Sequence, residues 1–339
     1  MFWDIFWAVV LLAIGFVLLV KGADWFVDGA AGIAEKFRIP QLVIGLTIVA
    51  FGTSAPELAT SIISAFDGDA SIAVGNILGS NIANILLILG ISAVICPLIV
   101  HKDTLRMDFP VLLGASILLV VFGLDGTVQR WEGVILFSLS MIYTIVLILI
   151  ALRHREENTV AELENHEVVA MSEPNEEKKL GKFAAWYEMM KEKSWFLGVV
   201  TVVGLGLVVA GAQLAVNGAT TIATEIGISS RIIGLTVVAI GTSLPELVTS
   251  VTAACKGETD IAVGDIVGSC IFNILRTIGI ASMIIPLEYA SEFLIDGAIA
   301  IAVAALLATL AYLPGHKVKR WGGIVMLVGF VGYYVYLFI

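Results

Sequence analysis

Two short acidic motifs interrupt the apolar segments of this chain. The first reads VAFGTSAPELATS over residues 49–61, and the second reads VAIGTSLPELVTS over 238–250. In each motif a glutamate, Glu57 or Glu246, follows a proline, and a serine lies three residues before the glutamate on the same helical face. A proline lacks the N–H of a helical hydrogen bond and breaks the helix, which frees backbone carbonyls. Each motif therefore predicts a place where carboxylate, hydroxyl and carbonyl oxygens gather.

A polar stripe follows each motif on the next predicted helix. The stripe positions are spaced i, i+4 and i+8, and they are Asn76, Ser80 and Asn84 in the first copy and Asp265, Ser269 and Asn273 in the second. The freed carbonyls are predicted around Ala50, Thr53, Ala239 and Thr242, beside the hydroxyls of Ser54 and Ser243. All of these groups are hard oxygen donors. Ca²⁺ binds about six to eight such oxygens with flexible geometry, and Na⁺ accepts similar ligands.

The two motifs belong to an internal duplication with an offset of 189 residues. Between 43–61 and 232–250, 14 of 19 positions are identical, and the register continues outward to Gly22 and Gly211. If each copy contains an odd number of spans, the second copy enters the membrane in the opposite orientation. Inverted repeats place a substrate site near the midplane, on interrupted helices at the interface between the repeats. The duplication thus predicts one site that both copies build.

The composition indicates an all-α polytopic membrane protein. Hydrophobic residues make up 59% of the chain and charged residues only 14%, whereas a typical soluble domain has about 25% charged residues. The apolar runs are continuous and long enough for helices of about 20 residues. Ten transmembrane helices are predicted, in two inverted five-helix repeats, at about 3–20, 42–66, 71–97, 108–124, 131–152, 195–212, 232–255, 260–286, 292–313 and 321–338.

Basic residues predict the orientation, because cytoplasmic loops carry an excess of Lys and Arg. With the N-terminus and the C-terminus outside, 16 of the 19 Lys and Arg residues fall on the inner side. The predicted organisation is a first repeat at 1–152, a cytoplasmic loop at 153–194 and a second, inverted repeat at 195–339. Within the loop, residues 179–193 have the pattern of an amphipathic helix that lies on the inner leaflet or packs against the protein body.

In these motifs the chain resembles the sodium/calcium exchanger family, within the cation/Ca²⁺ antiporter superfamily. GTSAPEL with GNILGSNIANI, and GTSLPEL with GDIVGSCIFNI, are similar to the paired α-repeats of that family. The resemblance covers nearly the whole chain. It implies a multi-pass antiporter of the plasma membrane that exchanges Na⁺ for Ca²⁺ by alternating access, with three Na⁺ for one Ca²⁺ commonly assigned.

The resemblance also implies a set of ion ligands, among which Glu57 and Glu246 are the central acids. Carried over position by position, the others are the hydroxyls of Ser54, Ser243, Ser80 and Ser269, the backbone carbonyls of Ala50, Ala239, Thr53 and Thr242, and the flanking amides of Asn84 and Asn273. Ca²⁺ and Na⁺ are then transported ions. We expect contact with membrane lipid, no cofactor, no nucleic acid, no enzymatic activity and function as a monomer.

Two positions of the second copy depart from the expected pattern. Asn273 stands where family members often carry an acid, and Arg276 stands where the first copy has Leu87. Arg276 projects about 20° from the stripe of Asp265 if the helix turns by 100° per residue. Arg276 is therefore a candidate modulator, a fixed positive charge that points toward the site. The alternative is a structural ion pair with an outward-side acid such as Asp296.

Three other functions compete with Na⁺/Ca²⁺ exchange. An antiporter that uses H⁺ as the counter-ion would need the same oxygen ligands. An intramembrane hydrolase built on Ser54 or Ser243 would need a base, but all four histidines lie outside the predicted spans. A passive channel is disfavoured because inverted repeats are typical of alternating access.

Overall fold

The computed structural model describes residues 2–66, 70–165, 190, 193–226 and 239–338, and these are almost entirely helical. Numbered in chain order, the helices are α1 (Phe2–Phe37), α2 (Gln41–Thr53), α3 (Ala55–Phe66), α4 (Ala70–Ala83, Asn84–Leu89 and Gly90–Ile95), α5 (Thr104–Asp108 and Phe109–Phe122), α6 (Arg130–Asn165), α7 (Ser194–Glu225), α8 (Ala239–Thr242), α9 (Leu244–Lys256), α10 (Thr259–Phe272, Asn273–Ile278 and Gly279–Ile284), α11 (Phe293–Tyr312) and α12 (Arg320–Phe338). The amphipathic helix predicted at 179–193 falls outside the described residues, apart from its positions 190 and 193.

The helices have the lengths and compositions of an all-α membrane protein. Within the described residues, eight helices are long and apolar enough to cross a bilayer. The pair α2 and α3, which meet at a bend of 41°, makes a ninth if it counts as one broken span. The span predicted at 232–255 lies partly outside the described residues, so the ten-helix topology stays a prediction.

The long helices extend beyond the spans that hydropathy predicts. The first span was expected at 3–20, but α1 continues to Phe37 as a helix of 36 residues. At about 1.5 Å per residue it measures about 54 Å, well above the roughly 30 Å of a hydrocarbon core, so it must tilt or emerge. It ends where Arg38 adopts a left-handed φ of 56°, the N–H of Ile39 returns to the carbonyl of Ala34 (2.9 Å), and Pro40 follows.

Helices α4 and α10 form the centre of the molecule. In their most apolar windows, 78% of α4 and 83% of α10 are buried, against 22% of both α1 and α12. Helix α2 packs directly on α10 through glycines: a Cβ atom on Gly45 would lie 2.9 Å from the carbonyl of Ile261, and one on Gly264 would lie 2.8 Å from the carbonyl of Leu42. The helices that carry the polar stripes are thus the most buried, and the first broken helix lies against one of them.

The centre contains a contact between equivalent positions of the two sequence copies. The side-chain amide of Asn81 donates to the carbonyl of Cys270 (3.1 Å), and the Cys270 thiol lies 3.8 Å from the carbonyl of Asn81. These two residues are 189 positions apart, which is the offset of the duplication. A residue that touches its own counterpart lies close to an axis that relates the two copies.

Both central helices contain a π-helical turn at the same place. The turns are Asn84–Leu89 in α4 and Asn273–Ile278 in α10. A π-helical turn holds one residue more than an α-helical turn, and such turns are frequent at functional sites. Each turn begins at an asparagine that the sequence singles out as a candidate ligand.

Four two-residue strands join the ends of the helices. They are β1 (Leu98–Ile99), β2 (Thr127–Val128), β3 (Leu287–Glu288) and β4 (Lys317–Val318). Strand β1 pairs antiparallel with β4, and β2 pairs antiparallel with β3. Each ladder therefore links a segment of the first sequence copy to a segment of the second.

Helices α1 and α7 cross antiparallel and touch through backbone atoms. Glycines recur every seven residues on both helices, as Gly15, Gly22 and Gly29 on α1 and Gly204, Gly211 and Gly218 on α7. A Cβ atom on Gly22 would lie 2.7 Å from the backbone nitrogen of Val208, and one on Gly204 would lie 2.5 Å from the backbone nitrogen of Phe26. Small residues bring membrane helices this close because lipid offers no hydrophobic drive between them.

The close contact between α1 and α7 predicts that a valine in place of a glycine of α7 lowers stability only where that glycine faces α1. Gly204→Val should lower the apparent melting temperature of the detergent-purified protein by several degrees, because overpacking costs about 1–3 kcal/mol or more. Gly206→Val is the matched control, since a Cβ atom on Gly206 meets nothing within 4 Å. Equal melting temperatures for the two variants in a thermal-shift assay would contradict the close contact between α1 and α7.

Candidate cation-binding site

The two helix breaks fall at equivalent serines, two residues before the prolines at which the sequence motifs predict them. Helix α2 ends at Thr53, Ser54 adopts φ −80° and ψ 6°, and α3 contains Pro56 in its first turn. In the second copy Ser243 adopts φ −90° and ψ 8° between α8 and α9. Proline is tolerated in the first turn of a helix, where its missing N–H has no helical acceptor. Each break leaves a glutamate, Glu57 or Glu246, in the first turn of the following helix.

Each serine at a break binds the glutamate of the other motif. The hydroxyl of Ser54 donates to Oε1 of Glu246 (3.1 Å), and the hydroxyl of Ser243 donates to Oε1 of Glu57 (3.4 Å). Both glutamates have 0% exposure. The structure thus brings the two predicted acids and the two predicted hydroxyls together in a reciprocal arrangement, in which each hydrogen bond spans the two sequence copies.

Several oxygens in this region are buried without a hydrogen donor. Among the described residues, Oε2 of Glu57, Oε2 of Glu246 and the side-chain oxygens of Asn84 and Asn273 have no hydrogen-bond partner. The amide nitrogen of Asn273 donates to the side-chain oxygen of Asn81 (3.2 Å). Burying an unpaired polar group costs about 1–3 kcal/mol, and more for a charged one. A bound cation is a group that satisfies oxygens of this kind.

The carbonyl of Ala50 corrects one expectation from the sequence. The carbonyls around the break were expected to be free, but the Ala50 oxygen accepts the backbone N–H of Ser54 (3.1 Å) and lies 3.4 Å from the donating hydroxyl of Ser269. The reason is that the helix breaks after Thr53, so residue 54 still reaches back four positions. A carbonyl has a second lone pair, and a ligand role for Ala50 stays a prediction.

The other predicted ligands lie on the same elements. Ser80 is buried on α4, and Thr242 is half-buried at the end of α8, which begins at Ala239. The predicted ligand atom of Thr53 is its backbone carbonyl, while its hydroxyl donates to Asp265 on α10 (2.9 Å). For all four residues the role as an ion ligand stays a prediction.

Asp265 is a third buried acid beside the site, and the sequence prediction did not include it among the ligands. Its Oδ1 accepts the hydroxyl of Thr53, and its Oδ2 accepts the hydroxyl of Ser250 (2.6 Å). Asp265 has 0% exposure. The signal was present in the sequence, since Asp265 begins the second polar stripe and replaces the Asn76 of the first copy.

Arg276 does not point toward the carboxylates, as the first of its two predicted roles assumed, and its role as a modulator stays a prediction. Its guanidinium group donates from Nε to the hydroxyl of Ser140 (3.2 Å) and from Nη2 to the hydroxyl of Thr144 (2.8 Å), both on α6. It also lies over the rings of Phe272 and Phe51, at 4.4 and 5.1 Å from their centroids. The guanidinium group therefore faces α6 and two aromatic rings rather than the carboxylates.

The proposed ion pair with Asp296 is also absent. The Oδ1 atom of Asp296 accepts the phenol hydroxyl of Tyr333 (3.2 Å) instead. Within the described residues, no carboxylate lies within ion-pair distance of Arg276.

A cavity of about 530 Å³ borders both breaks on the side of α7. Its described wall includes both motif prolines and several polar groups: Pro56, Thr60, Gln213, Gly241, Thr242 and Pro245. The cavity gives an approach to the two interrupted helices from one direction. Irregular backbone is tolerated at membrane depth where it lines such a cavity.

The donor chemistry fits a hard cation of the alkali or alkaline-earth type. The site offers carboxylate, amide, hydroxyl and carbonyl oxygens, which are the ligands that Ca²⁺ prefers in proteins. Within the described ranges, no group of three or more His, Cys, Asp or Glu side chains is arranged to hold a metal ion. The two glutamates at the breaks are therefore not part of a dense acidic cage within the described residues.

Comparison with known proteins matches nearly the whole chain to the family that the sequence motifs resemble. The family model described as sodium/calcium exchanger protein matches twice, at residues 7–149 and 196–339. The putative antiporter CaxA of Alkalimonas amylolytica is 38% identical over 98% of both chains. The sodium/calcium exchanger MaX1 of Methanosarcina acetivorans is 32% identical over 97% of both chains.

The fold is also similar to that of a solved exchanger. A structure of the sodium-calcium exchanger NCX_Mj, soaked with Na⁺ and without Ca²⁺, superimposes with a TM-score of 0.80 at 32% identity. The match covers 98% of this chain and 99% of the solved one. The sequence motifs, the buried oxygens at two helix breaks and these full-length matches agree. The chain is a membrane antiporter that belongs to the sodium/calcium exchanger family.

Proposed function

We propose that this protein exchanges Na⁺ for Ca²⁺ at one site near the membrane midplane, by alternating access. The observation that carries the proposal is the reciprocal pairing of Ser54 with Glu246 and of Ser243 with Glu57. It places two carboxylates in one region and leaves an unpaired oxygen on each of them. Two carboxylates are neutralised by one Ca²⁺ or by two Na⁺. The two ions therefore compete for the same charge, which is the requirement for exchange.

The proposed topology is ten transmembrane helices in two inverted repeats, at 1–152 and 195–339. Both termini face outward, and the connection at 153–194 lies in the cytoplasm. The antiparallel crossing of α1 and α7 supports the inversion, because these helices begin the two copies. The contact of Asn81 with Cys270 supports a site that is shared between the copies. We place the protein in the plasma membrane, as a monomer that needs no cofactor.

Na⁺ is the counter-ion that the donor set favours. The site combines carboxylates with neutral hydroxyl, amide and carbonyl oxygens, which suit a bare metal cation. A proton needs only one carboxylate oxygen and gains little from the rest. The names of similar exchangers also include sodium. Exchange of H⁺ for Ca²⁺ is the competing outcome, and the transport assay below distinguishes the two.

The first functional prediction concerns the paired acids. Glu57→Gln and Glu246→Gln should each reduce ⁴⁵Ca²⁺ uptake into Na⁺-loaded proteoliposomes at least 100-fold, on the order of 3 kcal/mol, because one charge of a buried cation site is lost. The matched control is Glu132→Gln, another buried glutamate, which accepts the backbone N–H of Gln129 at the start of α6.

The control variant should retain most of the uptake, and all three variants should remain monodisperse in detergent. Uptake by the wild type that follows a proton gradient and needs no Na⁺ would favour the H⁺ alternative. Full activity of both Glu57→Gln and Glu246→Gln would contradict a site at the helix breaks.

The second functional prediction concerns membrane voltage. If three Na⁺ leave for each Ca²⁺ that enters, one net positive charge leaves per cycle, worth about 2.3 kcal/mol per 100 mV. Uptake into Na⁺-loaded vesicles should then rise when the interior is clamped positive with valinomycin and K⁺. If the rate is independent of voltage, the exchange is electroneutral, with two Na⁺ for one Ca²⁺.

A further inference from the structure

The second copy differs from the first at two positions that carry opposite charges on one helix. Asp265 replaces Asn76, and Arg276 replaces Leu87. Both residues lie on α10, which has the most buried apolar window of all the membrane-spanning helices described. A charge in such a place is costly and is normally paired or functional. Because both departures add a charge, the two have to be considered together.

Two hydroxyl groups contact the buried carboxylate of Asp265 and stabilise its ionised form. Both of its oxygens accept hydroxyl protons, from Thr53 and from Ser250. The distance to Ser250, 2.6 Å, is typical of an O–H group that donates to a charged oxygen. The equivalent residues of the first copy lack this arrangement, since the hydroxyl of Ser61 and the amide nitrogen of Asn76 have no partner among the described residues.

Among the described residues, the guanidinium group of Arg276 has no carboxylate within ion-pair distance. A guanidinium group stays protonated in proteins. Its described partners are the neutral hydroxyls of Ser140 and Thr144 and the faces of two aromatic rings. Hydroxyls and rings stabilise the cation without neutralising it. An acid at longer range is therefore a candidate for its counter-charge.

Both charges act on the last turn of α2. Asp265 binds Thr53, and Arg276 lies over Phe51, only two residues earlier in the same turn. Both charged side chains therefore contact the segment that precedes Ser54. The other buried acid near Arg276 is Asp108, which accepts the phenol hydroxyl of Tyr143, the neighbour of Thr144. Asp108 is the competing counter-charge.

We propose that Asp265 and Arg276 are a compensating pair of fixed charges that tunes cation affinity at the site, a proposal that rests on the exchange function above. Asp265 adds a negative charge beside the two glutamates, without being part of a three-acid metal cluster. Arg276, eleven residues further along the same helix, offsets that charge. The three acids and the arginine then leave two net negative charges, which one Ca²⁺ matches.

The test is equilibrium ⁴⁵Ca²⁺ binding to the purified protein, in wild type and in three variants. Asp265→Asn mimics the first copy and should weaken binding about fivefold. Arg276→Leu also mimics the first copy and should strengthen binding about fivefold or more, because a positive charge near a bound Ca²⁺ repels it. The double variant should bind within about twofold of wild type.

The signs of these effects decide the proposal. If both single variants weaken binding, or if the double variant binds worse than Asp265→Asn, the residues have structural roles and the proposal is overturned. Asp108→Asn is the control, because it removes a buried acid whose described hydrogen bond goes to Tyr143 rather than to a proposed ligand. Suppose instead that Asp108→Asn weakens Ca²⁺ binding and that adding Arg276→Leu to it restores the wild-type affinity. Asp108 is then the counter-charge, and the proposal is likewise overturned.

A second measurement separates this pair from the exchange function. The apparent melting temperature is recorded in choline chloride, without Na⁺ or Ca²⁺. Compensation predicts that the double variant melts above both single variants; a double variant that melts below both overturns the pair. Absence of Ca²⁺ binding in wild type would overturn the exchange function alone, and the melting temperatures would then decide the question of the pair.

Discussion

The architecture depends on the cost of holding two carboxylates inside a membrane. Glu57 and Glu246 are fully buried, and each finds its hydroxyl donor on the other sequence copy. Neither glutamate can therefore be satisfied unless both broken helices meet. A buried charge without partners costs several kcal/mol, so this requirement constrains everything around it. The backbone-to-backbone approach of α2 to α10 at Gly45 and Gly264 follows from the same need.

The two halves of the site are equivalent in pattern but not in charge. The serine–glutamate pairs and the π-helical turns repeat at an offset of 189 residues. The acid at 265 and the arginine at 276 occur only in the second copy. A divalent ion at a symmetric pair of carboxylates would experience equal fields from both sides. The added charges make the field asymmetric while the oxygen ligands stay paired.

Much of the site could be predicted from the sequence, because two copies of one motif in inverted repeats are expected to meet at a shared site. The motifs predicted the breaks and the grouping of serines with glutamates. The direction of Arg276 could not be predicted, because it lies in the π-helical turn Asn273–Ile278, where an extra residue rotates the side chains away from the assumed phase. The length of α1 could not be predicted either. The predicted span stops where polar residues begin, whereas the helix continues to Phe37, just before Arg38 and Pro40.

The contact between Asn81 and Cys270 shows whether one half of the chain could replace the other. A residue on a symmetry axis meets its own copy. If the two residues are identical, the same side chain must supply both the donor and the acceptor of the contact. Here the two positions differ, and the Asn81 side chain binds both the carbonyl of Cys270 and the amide of Asn273. A dimer of two second halves would place two thiols face to face and leave that amide without its acceptor. At this contact the two halves complement each other and are not interchangeable.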